Sequence, residues 1–287
     1  MAQAAVMRAR SSDNVGKRTQ VKMKVRVLNP AAIYTLWLRE TIRFFRLRSR
    51  VLGSLGMPLF FLAFLAFLPV EASSVHGLRY IDFLAPGIVG MTLLFSSMFA
   101  GLSVLWDKEF GFLREIMVAP VSRVSIILGR IAGGMTTSLF QGVLMLLAAF
   151  PMGFRVEGLN EAASPAVAVL GGVLLAVFFM MLISVTFIGM GVALASKLKD
   201  MSGYSLVMNF LVFPIFFLSG ALFPLDGFPH WVRTLAYADP LTYGVDALRK
   251  CLVGVGEFPL LLDFAALVLS SIAMVWLGAY LFEKTEV

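Results

Sequence analysis

The chain is 287 residues long, 59% hydrophobic and only 14% charged, with a mean hydropathy of +0.88 and a formal net charge of +7. Soluble domains carry about a quarter charged and roughly half apolar residues, so this composition excludes an ordinary soluble globule. No basic patch is interleaved with aromatic residues, so the charge is not a nucleic-acid footprint. The single cysteine, Cys251, excludes an intrachain disulfide.

The polar residues are clustered, and the apolar runs between them approach the ~20 residues a helix needs to cross hydrocarbon. Six runs qualify, at 51–69, 86–106, 124–150, 165–195, 204–223 and 261–282. No series of short alternating segments points to a transmembrane barrel. The chain therefore reads as an all-α membrane protein: six transmembrane helices in one domain, 51–287, preceded by 1–28 and 29–50. The run opening at Pro165 is too long for one upright crossing and is expected to tilt or to extend beyond the bilayer.

Orientation follows from the basic residues. Half of the 24 lie in the first fifty positions. An even number of spans puts both termini on one side, which also receives Lys108, Arg114, Arg123, Arg130, Lys197, Lys199 and Lys284. The positive-inside rule then places both termini in the cytoplasm, with the spans in the cell (plasma) membrane.

In chain order, residues 1–28 are basic and aperiodic, as expected of a disordered tail, and too polar for a signal peptide. The pattern changes at "NPAAIYTLWLRETIRFFRLRSR". Asn29 can cap a helix whose first residue is Pro30. At 100° per residue, Arg39, Arg43, Arg46 and Arg50 share one side, while Ile33, Trp37, Phe44 and Leu47 gather on another. Segment 29–50 is expected to be an amphipathic interfacial helix along the inner leaflet. A positive-inside stop would explain the arginines but not the aromatic face.

Between the second and third runs stands "DKEFGFLREIMVAPVSR". Wound as one helix over 107–119, it sets Phe110, Phe112, Leu113, Ile116 and Met117 on one arc, with Lys108, Gly111, Arg114 and Glu115 opposite. Asp107 and Glu109 fall in the first turn, where acids suit the helix dipole, and Pro120 ends the helix. Such a helix beneath a bundle can be held in the groove of a soluble partner. The same pattern serves a plain interfacial connector.

The segment after the fifth run, Pro224 to Leu260, is too long at about 37 residues for an idle connector. Asp239-Pro240 is a helix start, with Leu241, Val245, Leu248 and Leu252 on one face and Thr242, Asp246, Arg249 and Lys250 on the other. A shorter helix beginning at Pro229 carries Trp231 and Leu235 on one side. Both pieces are too polar to span, and both are expected to be re-entrant or interfacial helices at the outer leaflet.

Catalytic and ion-coupling chemistry is sparse. His76 and His230 lie in separate loops without a partner motif, and no cysteine pair or HExxH offers a metal site. The span interiors hold almost no ionisable residue of the kind that pumps and coupled carriers use; Asp263 is the nearest candidate, expected at the interface. No GxxxxGK[ST] loop is present, so ATP is not bound through one. The chain reads as a non-enzyme whose energy comes from elsewhere.

The 107–123 segment resembles the loop between the second and third spans of type 2 ATP-binding-cassette (ABC) exporter permeases, with Glu109, Gly111, Arg114 and Pro120 at the matching spacing. The stretch "SGALFP…P…ADPLTYGVDALR" is similar to that family's second hallmark through Ser219, Gly220, Pro224, Pro229, Pro240, Tyr243, Asp246 and Arg249. The resemblance implies a separate ABC ATPase subunit in two copies, which binds the ATP and Mg, and a second permease as homodimer or heterodimer. It implies a coupling helix that seats in the ATPase through Asp107, Glu109, Gly111, Arg114, Glu115 and Pro120. Beside it would lie the interfacial helix bearing Trp37, Arg39, Arg43, Arg46 and Arg50. Pro224, Pro229, Trp231, Asp239, Pro240, Tyr243, Asp246 and Arg249 would form the outer re-entrant helices. Within that family, the compact size and absence of a large outer domain look most like the drug-resistance and nodulation-type permeases. A cavity lined by apolar side chains, with Asn209, Phe213, Phe217 and Ser219 as candidates, would suit an amphipathic or lipid-like cargo. A polysaccharide exporter permease and a self-sufficient secondary carrier are the other readings.

Overall fold

The computed structural model of the chain describes residues 28–46, 48–67, 78–111, 121–158, 164–198 and 200–284, with the side chains of 48–54, 66–67 and 165 left aside. The expected basic tail, the loop at 68–77 and residues 112–120 lie outside them.

Helix α1 (Pro30–Arg46) begins as local chemistry requires: Pro30 needs no donor, and the Asn29 side chain accepts from the Ala32 N–H at 3.4 Å. It ends at Arg46 rather than 50, and α2 (Arg48–Phe67) starts two residues later, carrying Arg50 in its first turn. Helix α3 (Tyr80–Gly101) runs almost without a break into α4 (Ser103–Glu109). Helix α5 (Arg123–Ala149) is capped by the Ser122 side chain, which accepts from the Ser125 N–H. The 33 residues of α6 (Pro165–Lys197) make a rod about 50 Å long at 1.5 Å per residue. Then come α7 (Met201–Leu218), α8 (His230–Ala238), α9 (Pro240–Val253) and α10 (Leu260–Glu283).

Among the described residues, five helical stretches are long and apolar enough to cross a membrane: Tyr80–Glu109, Arg123–Met152, Ala166–Lys197, Met201–Leu218 and Leu260–Glu283. The first expected span falls on α2, whose described apolar stretch, Leu55–Leu65, is shorter. The fifth helix departs from expectation, ending at Leu218 instead of 223. The Ser219 hydroxyl turns back to donate to the Phe216 carbonyl, and the chain reverses at Gly220.

Helix α6 is the hub, packed against α10, α3, α9 and α5, while α3 also touches α2 and α5. Leu84, Ile88, Met91, Phe179, Ile183, Phe187, Val245 and Leu248 meet in the buried core. Polar pairs cross-link it: Ser97 donates to Ser138 at 3.2 Å, Thr186 and Ser271 lie 2.7 Å apart, and the Tyr204 hydroxyl donates to the Met98 carbonyl at 2.7 Å. Such bonds are worth about 0.6 kcal/mol each between helices in lipid. Helix α7 stands at the edge, meeting α8, α3 and α9, with Phe216 edge-on to Phe61 of α2.

Candidate functional site

At one end of the bundle α1 lies in a groove of α5, and two glycines make the groove. A Cβ on Gly129 would sit 2.7 Å from the Leu36 Cβ, and one on Gly133 would sit 2.6 Å from the Glu40 Cβ. Only hydrogen at these positions lets the two backbones approach so closely. The contact is pinned at its start by the Asn29 N–H donating to Ser125 Oγ at 2.9 Å. Midway, Trp37 Nε1 donates to Thr136 Oγ1 at 2.9 Å.

This packing places α1 differently from the expected picture. Ile33, Leu36, Trp37 and Phe44 face the protein or its edge, and the apolar stripe left exposed is Tyr34, Leu38, Ile42 and Phe45. Those four recur at helical spacing and make one continuous exposed apolar stripe.

The arginines turn inward as well. Asp107, in the last turn of α4, accepts from Arg39 Nη2 at 2.7 Å and from Arg130 Nη2 at 2.6 Å, with Arg43 Nη1 3.7 Å away. Arg39 also pairs with Glu40 at 2.8 Å, Arg43 lies over the Trp106 ring at 4.8 Å, and Arg130 reaches Ser103 Oγ. Arg130 is 3% exposed and Asp107 is buried. Burial works against the Arg39 charge, but Glu40 and Asp107 outweigh it and hold that guanidinium above its ordinary value. The cluster ties α1, α4 and α5 at one point.

Two expectations are corrected here. Residues 107–119 are not one helix: the helix continuing from α3 ends at Glu109, and Gly111 takes φ +74. That left-handed conformation is a common helix stop, and glycine carries no Cβ to oppose it. Asp107 therefore occupies a helix C-terminus rather than an N-terminus, facing into the protein. Glu109, Phe110 and Gly111 are exposed and project from the end, with Phe110 79% exposed. Of the other coupling candidates, Arg114, Glu115 and Pro120 lie outside the described residues, as does the side chain of Arg50; Arg46 is exposed at the end of α1. Arg130, Glu40 and the two glycines escaped the sequence reading. The signal for Arg130 was an arginine seven residues into a span that begins at Arg123, at a depth matching the acid on the other side of the loop.

The opposite end is built around the α8–α9 hairpin. Asp239 caps α9 by accepting from the Leu241 N–H at 2.9 Å, and Pro240 follows at the first helical position. Helix α9 is buried on both faces: Thr242, Asp246 and Arg249 are nearly as buried as Leu241, Val245 and Leu248. Its polar face bonds within the protein, although Arg249 Nε is buried without a hydrogen-bond partner among the described residues. Asp246 accepts from the Glu257 and Phe258 N–H groups at 2.8 and 3.0 Å, Thr242 donates to the Ala236 carbonyl at 2.7 Å, and Tyr243 donates to the Tyr237 carbonyl at 2.8 Å. Arg249 donates to the Gly220 carbonyl at 3.1 Å and stacks on the Phe83 ring at 3.8 Å. The second hallmark thus converges in space: the Arg249–Gly220 bond joins the α7 turn to α9, and Asp246 ties α9 to residues 257 and 258. Pro224 and Pro229 are the residues that precede a short 3-10 turn and α8, whose Trp231 and Leu235 side is exposed.

The four cargo candidates separate. Asn209 and Phe217 are exposed on α7, near Phe210 at 89% exposure, and Phe213 packs edge-on against Phe95 at 5.6 Å and stacks on Phe217. Ser219 is buried and spends its hydroxyl on Phe216, so it faces away from that surface.

A bundle of long apolar helices, with a surface helix locked by an ion cluster to the ends of two of them, defines a multi-pass membrane protein. The chain belongs to the ABC-2 type transporter family, which it matches over residues 31–253, from α1 to the end of α9. It is 27% identical over 246 residues to the inner membrane transport permease YadH of Escherichia coli K12, covering 84% of this chain and 91% of that one. It is 30% identical over 185 residues to the ycf38 transport permease of Porphyra purpurea, covering 63% of this chain and 58% of the other. Nodulation protein J of Rhizobium leguminosarum bv. trifolii is 26% identical over 224 residues, covering 77% and 78%.

Proposed function

We propose that this chain is the transmembrane subunit of an ABC exporter, with six spans and both termini cytoplasmic, working as a permease pair on two copies of a separate ATPase that holds the ATP and Mg. The observation that carries the reading is the Asp107 cluster. Glu109 and Gly111, exposed at the end of α4, are placed to meet a partner, and Asp107 two residues earlier is bonded to both α1 and α5. A displacement of the 107–120 segment by ATPase closure is thereby passed to α1 and to two spans rather than lost in a loose loop. The paired permease, as homodimer or heterodimer, is assigned to the exposed side of α7. There Asn209, Phe213 and Phe217 would line a path for an amphipathic, drug-like, lipid-like or glycan-linked cargo.

The test is purification from the native membrane in mild detergent, identification of what accompanies the chain, and assay of its ATP hydrolysis. We expect a co-purifying ATPase whose activity changes several-fold with Glu109→Ala or Gly111→Pro, while expression and membrane insertion stay normal. A chain that purifies alone, or an ATPase indifferent to both substitutions, overturns the reading.

A further inference from the structure

Asp263 lies in the first turn of α10, inside an apolar span, at 0% exposure, and neither of its carboxylate oxygens has a hydrogen-bond partner. A carboxylate there is expensive. Burying an ionised acid without hydrogen bonds costs several kcal/mol, whereas the N-terminal dipole of a helix returns about 0.3–1 kcal/mol. The charged form needs either a counter-charge or a proton.

The elements packed on α10 are α6, α9 and, more weakly, α5. Helix α6 carries no titratable side chain before Lys197 at its far end, and the arginines of α5, Arg123 and Arg130, are likewise at the far end. Among the described residues, the ionisable neighbours come from helix α9. The Asp246 charge repels that of Asp263 and the Lys250 charge attracts it, while Tyr243 and Cys251 lie close enough to feel it. Asp246 is already bonded to the Glu257 and Phe258 N–H groups. Lys250 is engaged elsewhere too, its ammonium donating to the Phe258 carbonyl. Among the described residues the cation that acts on Asp263 is thus parked on a backbone oxygen, on a flexible four-carbon stem that can swing.

We propose that Asp263 is a proton-binding site: its carboxyl takes a proton from water and stays a neutral acid while Lys250 rests on Phe258, and returns that proton to water when the Lys250 ammonium moves onto it. The exchange forms and breaks one O–H bond and needs no other reactant. It gives the α9–α10 junction two arrangements that differ by one proton, a neutral acid with Lys250 held on Phe258 and an Asp263–Lys250 ion pair. The site stands on this chain alone and does not depend on the ATPase partnership.

The test is infrared spectroscopy of the purified full chain in lipid nanodiscs, reading the carbonyl stretch of protonated carboxyl groups. Near neutral pH the wild type shows a component that is lost in Asp263→Asn and displaced in Asp263→Glu, which keeps the acid and guards against a folding artefact. In Lys250→Gln the component persists to higher pH, because the competing positive charge is gone. Spectra of wild type and Asp263→Asn that coincide in this region at every pH from mildly acid to mildly alkaline overturn the proposal. A Lys250→Gln titration identical to wild type overturns the exchange.

Discussion

Asp107 occupies a position that is costly for a carboxylate twice over, being buried and at the C-terminal end of a helix, where the dipole is negative. Arg39, Arg43 and Arg130 reverse that balance, and the dependence is mutual. Removing one member of a buried pair costs about 3–5 kcal/mol, because the other charge is left stranded. Asp107→Asn should lower the unfolding temperature of the purified chain markedly. Asp107→Leu combined with Arg130→Met should recover much of that loss without restoring ATPase coupling. Equal unfolding temperatures for wild type and Asp107→Asn would show that the cluster does not hold this end together. Asp239 offers a second test. Burial pushes its carboxyl up to about 7 from an ordinary 3.8, against the smaller opposing effect of the Leu241 N–H. An acid that keeps its proton longer when folded makes stability fall as pH rises from the unfolded value through about 7, and level off above. Asp239→Asn keeps the cap, since Asn is an equally good cap residue. Thermal unfolding across that window should therefore fall for the wild type and stay flatter for the variant.

At the scale of elements, the helix starts were legible and several helix ends were not. Asn29-Pro30 and Asp239-Pro240 announce α1 and α9 because capping is settled by neighbours within three residues. The end at Gly111 was hidden by a good amphipathic pattern across 107–119, and the local left-handed turn overrode that periodicity. The face of α1 was misread for a related reason. Its contacts are with residues nearly a hundred positions away, such as Ser125 and Thr136, and a helical wheel cannot say which of two apolar sides meets protein. Gly133→Val should push α1 off α5, because the added branch points at Glu40 where even a single carbon would stand at 2.6 Å. The Trp37 bond to Thr136 would then break, and its fluorescence would shift to the red relative to the wild type. Unchanged Trp37 emission would mean that α1 accommodates the bulk in place.

For the whole molecule, α9 decides whether the hairpin end is a cover or a core. It is buried on both faces, so it is part of the core. Deleting a large buried side chain costs about 2–5 kcal/mol, and a serine hydroxyl in its place needs a partner as well. Replacing Leu241, Val245 and Leu248 together with Ser should therefore exceed a typical net stability of about 5–15 kcal/mol. The variant is expected to aggregate on size-exclusion chromatography. A monodisperse variant with wild-type stability would show that α9 lies on the surface after all.

The sequence by itself determined what depends on composition and near neighbours: helical membrane spans, from the length and apolarity of the runs, and the hairpin helix starts, from caps and prolines. It also carried the family hallmarks, as ordered residues at set spacings. Only the tertiary structure decided which charges meet. Asp107 finds Arg130 across 23 residues and Arg39 across 68, while Asp263 is left without a bonded partner although Lys250 is near in sequence. The physical reason is that burial and pairing are properties of the packed bundle. In the sequence an inward arginine and a positive-inside arginine look the same; they differ only once α1 closes on α5 and excludes water from between them.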